Sequence, residues 1–548
     1  MGTKRGADLL VGALSAAGVK RLFTLSGNQI MSLFDASLDS DIELLHVRHE
    51  AAAVHMADAW GRLTGQPGVV AVTAGPGFAN AISALYVAKM AETPVVLLSG
   101  HAEQEMLGRG AFQEMPQADM AGHVAKASWT ARESSGLGRD VARALGIASS
   151  GRPGPVHIAL PGDLLESVAE PPYASRDATE ELPQANADGD RSPAELVLNA
   201  IAEARRPLVL TGPAMMRGAA AVTTAAFSEE THVPVIGMES PRGINDPSLG
   251  AFAEVLAQAD LIVLLGKKLD FSLRFGDPPA IRPECRFVQV DAEEAEIEQT
   301  GHVLGHGSRF ATTTVAHPQT MVVDMLDLIR TRTWPATGWQ DEVQDATSYR
   351  PAEWRALESP PDGPLHAVDL CREIQASLDR GPGAVFVSDG GEFGQWAQAC
   401  VSAPNRIING TAGSIGTAVP YAMGARLVYP NAPVITVLGD GTFGFHAAEF
   451  DTAVRHGIPF VAVVGNDAAW NAEYQIQLRS YGEDRLIGCE LLPTRYDEVA
   501  RAFGAHGENV TRPSELKPAL DRAMVSGLPA CINVAIQRNP APVVRRGG

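Results

Sequence analysis

The chain has 548 residues, too many for one core and enough for two to four domains. Its 44 basic and 64 acidic residues give a net charge of −20, which argues against nonspecific binding to nucleic acid or an anionic membrane but leaves room for a local anion pocket. With 45% hydrophobic and 20% charged residues, and 54 glycines and 37 prolines spread between apolar runs, disorder and collagen-like repeats are excluded.

The opening MGTKRGADLLVGALSAAG resembles a signal peptide only superficially, because Asp8 interrupts it and a strand pattern follows at once. An amphipathic first helix is predicted. The five cysteines are scattered without metal-type spacing, and no apolar run approaches the ~18 residues of a membrane helix. A cytoplasmic protein with no membrane and no nucleic-acid partner is expected.

Short β-branched runs then alternate with alanine-rich helical stretches, the pattern of parallel sheets. Strands are predicted at 68–75, 94–100, 155–160, 207–212, 261–266, 432–440, 459–467 and 529–536. Two proline-rich stretches, about 168–192 and about 335–364, read as linkers. They leave domains at 1–167, 193–334 and 365–548. The first and last show the same spacings. The gaps Gly75–Pro94 and Asp440–Pro459 are both 19 residues, and SGRPGPVHIAL (150–160) matches SGLPACINVAI (526–536). The fold class predicted is therefore α/β, with three doubly wound parallel-sheet domains, the outer two related by duplication.

The chemistry concentrates in GDGTFGFHAAEFDTAVRHGIPFVAVVGNDAAWN (439–471). Asp440 ends an apolar strand at a glycine turn before a helix, where ligands bind in open α/β sheets. The amides of Gly441 and Thr442 can meet a phosphate there. Asp467 ends the next strand, so both carboxylates can share a hard cation such as Mg²⁺. Alone, GDG reads as a capped turn; GND one strand later favours the metal site.

This segment resembles the diphosphate–magnesium signature of thiamine diphosphate enzymes, with Asp467 where that family carries its second Asn. The resemblance implies metal ligands Asp440, Asp467 and the Ala469 carbonyl, with Gly439, Gly441 and Thr442 at the diphosphate. HVRHEAAAVHMADAWGRLTG (46–65) resembles the segment whose glutamate, here Glu50, bonds the cofactor's pyrimidine and promotes loss of the thiazolium C2 proton. TAGPGFANA (73–81) is similar to the turn over the pyrimidine, with Gly75, Pro76 and Asn80. SDGGEFGQW (388–396) resembles a diphosphate loop, with Gly391, Glu392 and Phe393. GSIGTAVPYAMGA (413–425) resembles the loop that bends the cofactor, with Gly413 and Ile415. A homodimer or homotetramer with active sites at the subunit interface is implied.

GRGAFQEMPQADM (108–120) resembles the substrate loop of 2-hydroxyacyl-CoA lyases and acetolactate synthases, with Phe112 and Gln113 facing the cofactor and Gln113 active in catalysis. FTLSGNQIM (23–31) looks more like the acetolactate synthase-like branch than the typical lyase loop, a resemblance that implies Gly27 at the cofactor and Asn28 and Gln29 at the substrate. The resemblance also implies Trp470 as a further substrate contact and Glu490 as a proton donor within reach of the site. GKKLDFSLRFGD (266–277) is similar to the nucleotide-side segment of the lyase group. Lys267, Lys268, Arg274 and Arg152 are thus candidates for the ADP phosphates of coenzyme A in the central domain, and FAD is not expected. The favoured expectation is a 2-hydroxyacyl-CoA lyase. The alternatives are an acetolactate synthase-like or benzaldehyde lyase-like carboligase and a non-catalytic cofactor-binding paralogue.

Overall fold

The computed structural model describes residues 4–169, 192–305, 309–330 and 334–547. The stretch read as a first linker therefore lies almost wholly outside the described residues. The strands of the first third are β1 (Lys4–Arg5), β2 (Arg21–Thr24), β3 (Glu43–His46), β4 (Gly68–Val72), β5 (Val95–His101), β6 (Ala127–Thr130), β7 (Pro155–Pro161) and β8 (Val168–Ala169). β1 and β8 pair as a short antiparallel ribbon, and the others form a parallel sheet ordered β3-β2-β4-β5-β7-β6. β4, β5 and β7 are buried along their whole length, which is why they read as unbroken apolar runs.

The middle sheet holds β9 (Pro207–Thr211), β10 (Val235–Gly237), β11 (Leu261–Leu265), β12 (Arg286–Asp291) and β13 (Phe310–Val315), ordered β10-β9-β11-β12-β13. The last sheet holds β14 (Val385–Ser388), β15 (Asn405–Ile408), β16 (Val434–Gly439), β17 (Val461–Asn466), β18 (His506–Val510) and β19 (Ala530–Ala535), ordered β15-β14-β16-β17-β19-β18. Counted from its own first parallel strand, each outer sheet reads 2-1-3-4-6-5. The shared order is what duplication requires, and the matched closing segments form β7 and β19.

Packing groups these sheets into two compact units, one with both outer sheets and one with the middle sheet. In the first unit the helices Glu50–Thr64 and Ala418–Val428 share one apolar core, with Ala53, Met56, Tyr421 and Met423 all buried. Arg62 ties them together. It bonds Asp58 (2.7 and 2.6 Å), Tyr421 Oη (2.8 Å) and the carbonyl of Ile408 (2.7 Å). The predicted first helix runs Gly6–Ala16, with Ala7, Leu10, Val11 and Leu14 buried.

The second proline-rich stretch is not simply a linker. It contains the helix Trp339–Ser348, whose Trp339, Val343 and Ala346 enter the core of the middle unit. Pro335 and Pro351 bracket this helix and no proline interrupts it, so composition misled where position mattered. Residues 395–401 and 540–547 also pack with the middle unit. In the tail, Arg546 donates its amide and Nε to Glu254 (2.8 and 2.9 Å).

Candidate active site

At the carboxyl edge of the first sheet, four connections converge. Gly27 leads β2 into the turn Asn28–Ile30, and Thr73 follows β4. Thr73 Oγ1 donates to Gln29 Oε1 (2.6 Å), and Gln29 Nε2 donates to Gln113 Oε1 (3.0 Å). Gly75 has φ 56°, and a Cβ there would lie 2.8 Å from the carbonyl oxygen of Gln113, so the approach admits only glycine. Gln113 itself sits at φ 59°. Pro76 opens the helix Pro76–Met90, and Asn80 on it donates to Glu50 Oε2 (3.0 Å). Glu50 is buried at the first turn of its helix. The structure thus brings Gln29, Gly75, Pro76, Asn80, Glu50 and Gln113 together; Phe112 is 74% exposed.

The last sheet offers the same edge. Asp440 follows β16 and is 2% exposed, with the amides of Gly441, Ala468 and Ala469 near enough to lower its value in part. Its Oδ2 is buried without a partner among the described residues. Burial pushes Asp440 up to about 6, and Asp467 rises to about 7 through burial and then the Asp440 charge. A partnerless buried carboxylate oxygen beside a second carboxylate is a donor set that suits a hard cation. Among the described residues no cluster of three or more His, Cys, Asp or Glu side chains forms a metal cage, so water or phosphate oxygens would complete such a site. A Cβ on Gly441 would strike the Trp470 ring at 2.7 Å, which places Trp470 flat against the glycine turn. Phe393 lies where a Cβ on Gly465 would be, 2.5 Å from its ring. Gly391 and Gly413 are left-handed, and Glu392 is half-buried.

Three organising residues escaped the sequence reading. Asp389 is buried, and its carboxylate accepts Gly390 N (2.8 Å) and Gly416 N (2.9 Å), joining the loop of Gly391 to the loop of Ile415. The signal was present, since Asp389 follows β14 as Asp440 follows β16. Gln117 accepts Gly75 N (2.8 Å) and donates to Ser99 Oγ (2.6 Å). Arg538 donates to the carbonyls of Asp467 (2.9 Å) and Ala468 (3.2 Å) and stacks on Tyr474. No motif announces it.

Other expectations are corrected. Glu490 is exposed and bonded to Arg538 (2.7 and 3.0 Å), which holds its carboxyl below the usual range; it stands as an ion-paired carboxylate, not a loaded proton donor. Lys267 is buried on the Lys268 carbonyl (2.7 Å) and Asp270 (3.2 Å). Lys268 pairs with Glu296, and Arg152 with Glu92. These three cations answer local charges, and only Arg274 of the four stands exposed.

Comparison with known families decides the matter. Residues 4–120 match the thiamine pyrophosphate enzyme N-terminal TPP binding domain, 194–306 the central domain and 389–534 the C-terminal TPP binding domain. The chain belongs to the thiamine pyrophosphate enzyme family. It is 32% identical over 544 residues to a probable acetolactate synthase of Mycobacterium bovis, covering 97% of this chain and 96% of that protein. It is 30% identical over 586 residues to 2-hydroxyacyl-CoA lyase 2 of Homo sapiens, covering 98% and 90%. A probable acetolactate synthase large subunit of Methanocaldococcus jannaschii is 26% identical over 565 residues, covering 99% and 94%. Glu50 lies within the matched N-terminal TPP binding domain, and Asp440 and Asp467 within the C-terminal one. The chain is a thiamine diphosphate-dependent enzyme of the carbon–carbon lyase and transferase type.

Proposed function

We propose that this enzyme is a thiamine diphosphate- and Mg²⁺-dependent carbon–carbon lyase that splits a 2-hydroxyacyl-CoA into an aldehyde or ketone plus formyl-CoA. The observation that carries the cofactor chemistry is the pairing of two half-sites on duplicated sheets: Glu50 with Asn80 on one, and the partnerless Asp440 Oδ2 beside Asp467 on the other. When bound, thiamine diphosphate supplies an acidic thiazolium C–H whose conjugate base attacks a carbonyl carbon. Asp440, Asp467 and the Ala469 carbonyl would hold the Mg²⁺, and the turn at Gly441 and Thr442 would receive the diphosphate.

Glu50 handles the proton at the pyrimidine ring. Asn80 fixes its Oε2, while Gly77 leaves room beside Oε1, where a Cβ would lie 3.2 Å away. Gln113, held by Gln29, presents its amide to the substrate's oxygen. Each half-site lacks what the other has, which supports a homodimer or homotetramer in which Glu50 of one subunit serves cofactor held by its partner. The acyl-CoA reading draws on the lyase relatives and not on the central cations. An acetolactate synthase-like activity on 2-oxo acids is the second reading, favoured by those cations being paired within the protein and by relatives bearing that name.

Incubation with Mg²⁺, thiamine diphosphate and a 2-hydroxyacyl-CoA is expected to release formyl-CoA, and the purified protein to be colourless. Conversion of pyruvate to acetolactate without formyl-CoA release, or a bound flavin spectrum, moves the assignment to the second reading.

A further inference from the structure

The helix Glu50–Thr64 opens with half of a capping box. His49, its N-cap, uses Nδ1 to accept the amide of Ala51 (3.1 Å). In a capping box, the third helical residue returns a side-chain oxygen to the N-cap amide. Here that residue is Ala52, which has none to return, and Glu50 is bonded to Asn80. The missing carboxylate comes from the C-terminal TPP binding domain of the same chain. Glu449, 1% exposed, accepts Arg48 N on both oxygens (3.1 and 3.2 Å), and the amide of His49 faces the same carboxylate. Thr452 Oγ1 fixes Glu449 Oε2 (2.6 Å). The two residues before Arg48 are held too. Arg455 Nη2 donates to His46 O (2.8 Å), His46 N donates to His456 Nε2 (3.2 Å), and Val47 N donates to Thr24 O on β2 (2.9 Å). From His46 to His49 the connection into the helix is thus pinned at every residue, mostly by side chains on or beside the helix Glu449–Arg455.

We infer that Glu449 is a positioning residue for the reaction: its carboxylate completes, from the C-terminal domain, the cap of the helix that presents Glu50, and so fixes where the Glu50 carboxyl stands. The inference rests on Glu50 being the acid that handles the pyrimidine proton. Glu449 touches no reacting atom in this role. Its loss frees the amides of Arg48 and His49 and loosens the first turn, and small misplacements of a reacting group lower rate far more than binding.

The test uses full-length Glu449→Gln and Glu449→Ala, with Asp521→Asn, a surface carboxylate paired with Lys517 and Arg380, as a control. Glu449→Gln keeps the volume of the buried side chain but turns an amide donor toward other donors. Hydrogen exchange in cofactor-free protein is expected to quicken by about tenfold or more at Arg48 and His49, while residues 56–64 stay protected. With cofactor, kcat is expected to fall by about tenfold to a hundredfold, with KM and cofactor affinity within about twofold of wild type. Asp521→Asn is expected to change neither. Unchanged exchange at Arg48 and His49 in both Glu449 variants overturns the cap. Quickened exchange with wild-type kcat overturns the positioning role. Glu50→Gln, assayed in parallel, separates the two levels: wild-type turnover there removes the reading of Glu50 itself, whatever the exchange data show.

Discussion

Burial raises Asp440 to about 6, and burial followed by the repulsion of the Asp440 charge raises Asp467 to about 7. A raised carboxyl binds its proton more tightly in the folded chain than in the unfolded one. In metal-free protein these groups therefore favour folding at low pH, and that advantage is lost as pH rises from about 4 to about 7. A divalent cation removes the repulsion, but only where the protons have left. Added Mg²⁺ is thus expected to raise the melting temperature strongly at pH 8 and little at pH 5, measured by calorimetry with and without the ion. Equal shifts at both values dissociate this pair from the metal. Arg538 belongs to the same balance, since its charge lowers Asp467 while its donors hold the loop's carbonyls. Arg538→Gln is expected to weaken Mg²⁺ binding by loosening Asp467 and Ala469, although losing a nearby positive charge alone would strengthen it. Calorimetric titration with Mg²⁺ gives the sign, and tighter binding shows that charge dominates over geometry.

The strands were legible because each is a run of four to seven apolar or β-branched residues between turns; the buried β4, β16 and β17 fall within the predicted spans, and β5 overruns its span by His101 alone. Asp440 and Gly75 were legible for a related reason: each stands where a strand ends and a glycine turn begins. What composition hides is partnership across the chain. Asp389, Gln117, Glu449 and Arg538 act through bonds to backbone amides and carbonyls up to 401 residues away. No local pattern records such bonds. The coupling of helix Glu50–Thr64 to helix Ala418–Val428 is of this kind. Asp58 and Arg62 look like an ordinary i, i+4 pair, yet both are buried, and Tyr421 Oη donates to Asp58 (2.7 Å). Arg62→Ala leaves the Asp58 carboxylate buried without its cation, a loss of about 3–5 kcal/mol. Denaturant unfolding is expected to show a destabilisation of that size. A change under about 1 kcal/mol indicates that water replaces the guanidinium.

Over the whole molecule, buried histidines and buried carboxyls set opposing pH slopes. Burial depresses His55 and His157 to about 3 and His446 to about 4. A depressed histidine adds stability above the unfolded value near 6.5 and loses it as pH falls. Asp389 near 6 and Glu449 near 7 act in the opposite sense, as do Asp440 and Asp467 without metal. The two sets largely offset each other near pH 5. Below about pH 4 these four carboxyls are largely protonated in both states and no longer oppose the histidines, while depressed carboxyls such as Asp58 and Glu515 add to the acid destabilisation. His55, whose Nδ1 has no partner among the described residues, is expected to tolerate leucine. His55→Leu should flatten the acid limb by about 1.4 kcal/mol per pH unit in urea titrations. The division of labour between the outer sheets gives the sharpest whole-molecule prediction. Glu50→Gln and Asp440→Ala are each expected to abolish turnover. If cofactor held by one subunit meets Glu50 of its partner, a mixed dimer has one site with both defects and one with neither. Random exchange between equal amounts makes half of the dimers mixed, so activity returns to about one quarter of wild type. Were each site built within a single chain, every site in the mixture would carry one defect. Mixing the two variants, incubating them at low concentration to permit subunit exchange and measuring turnover distinguishes these cases. Recovery requires the shared site, and its absence, with exchange verified by mass-tagged subunits, returns Glu50 and Asp440 to one chain.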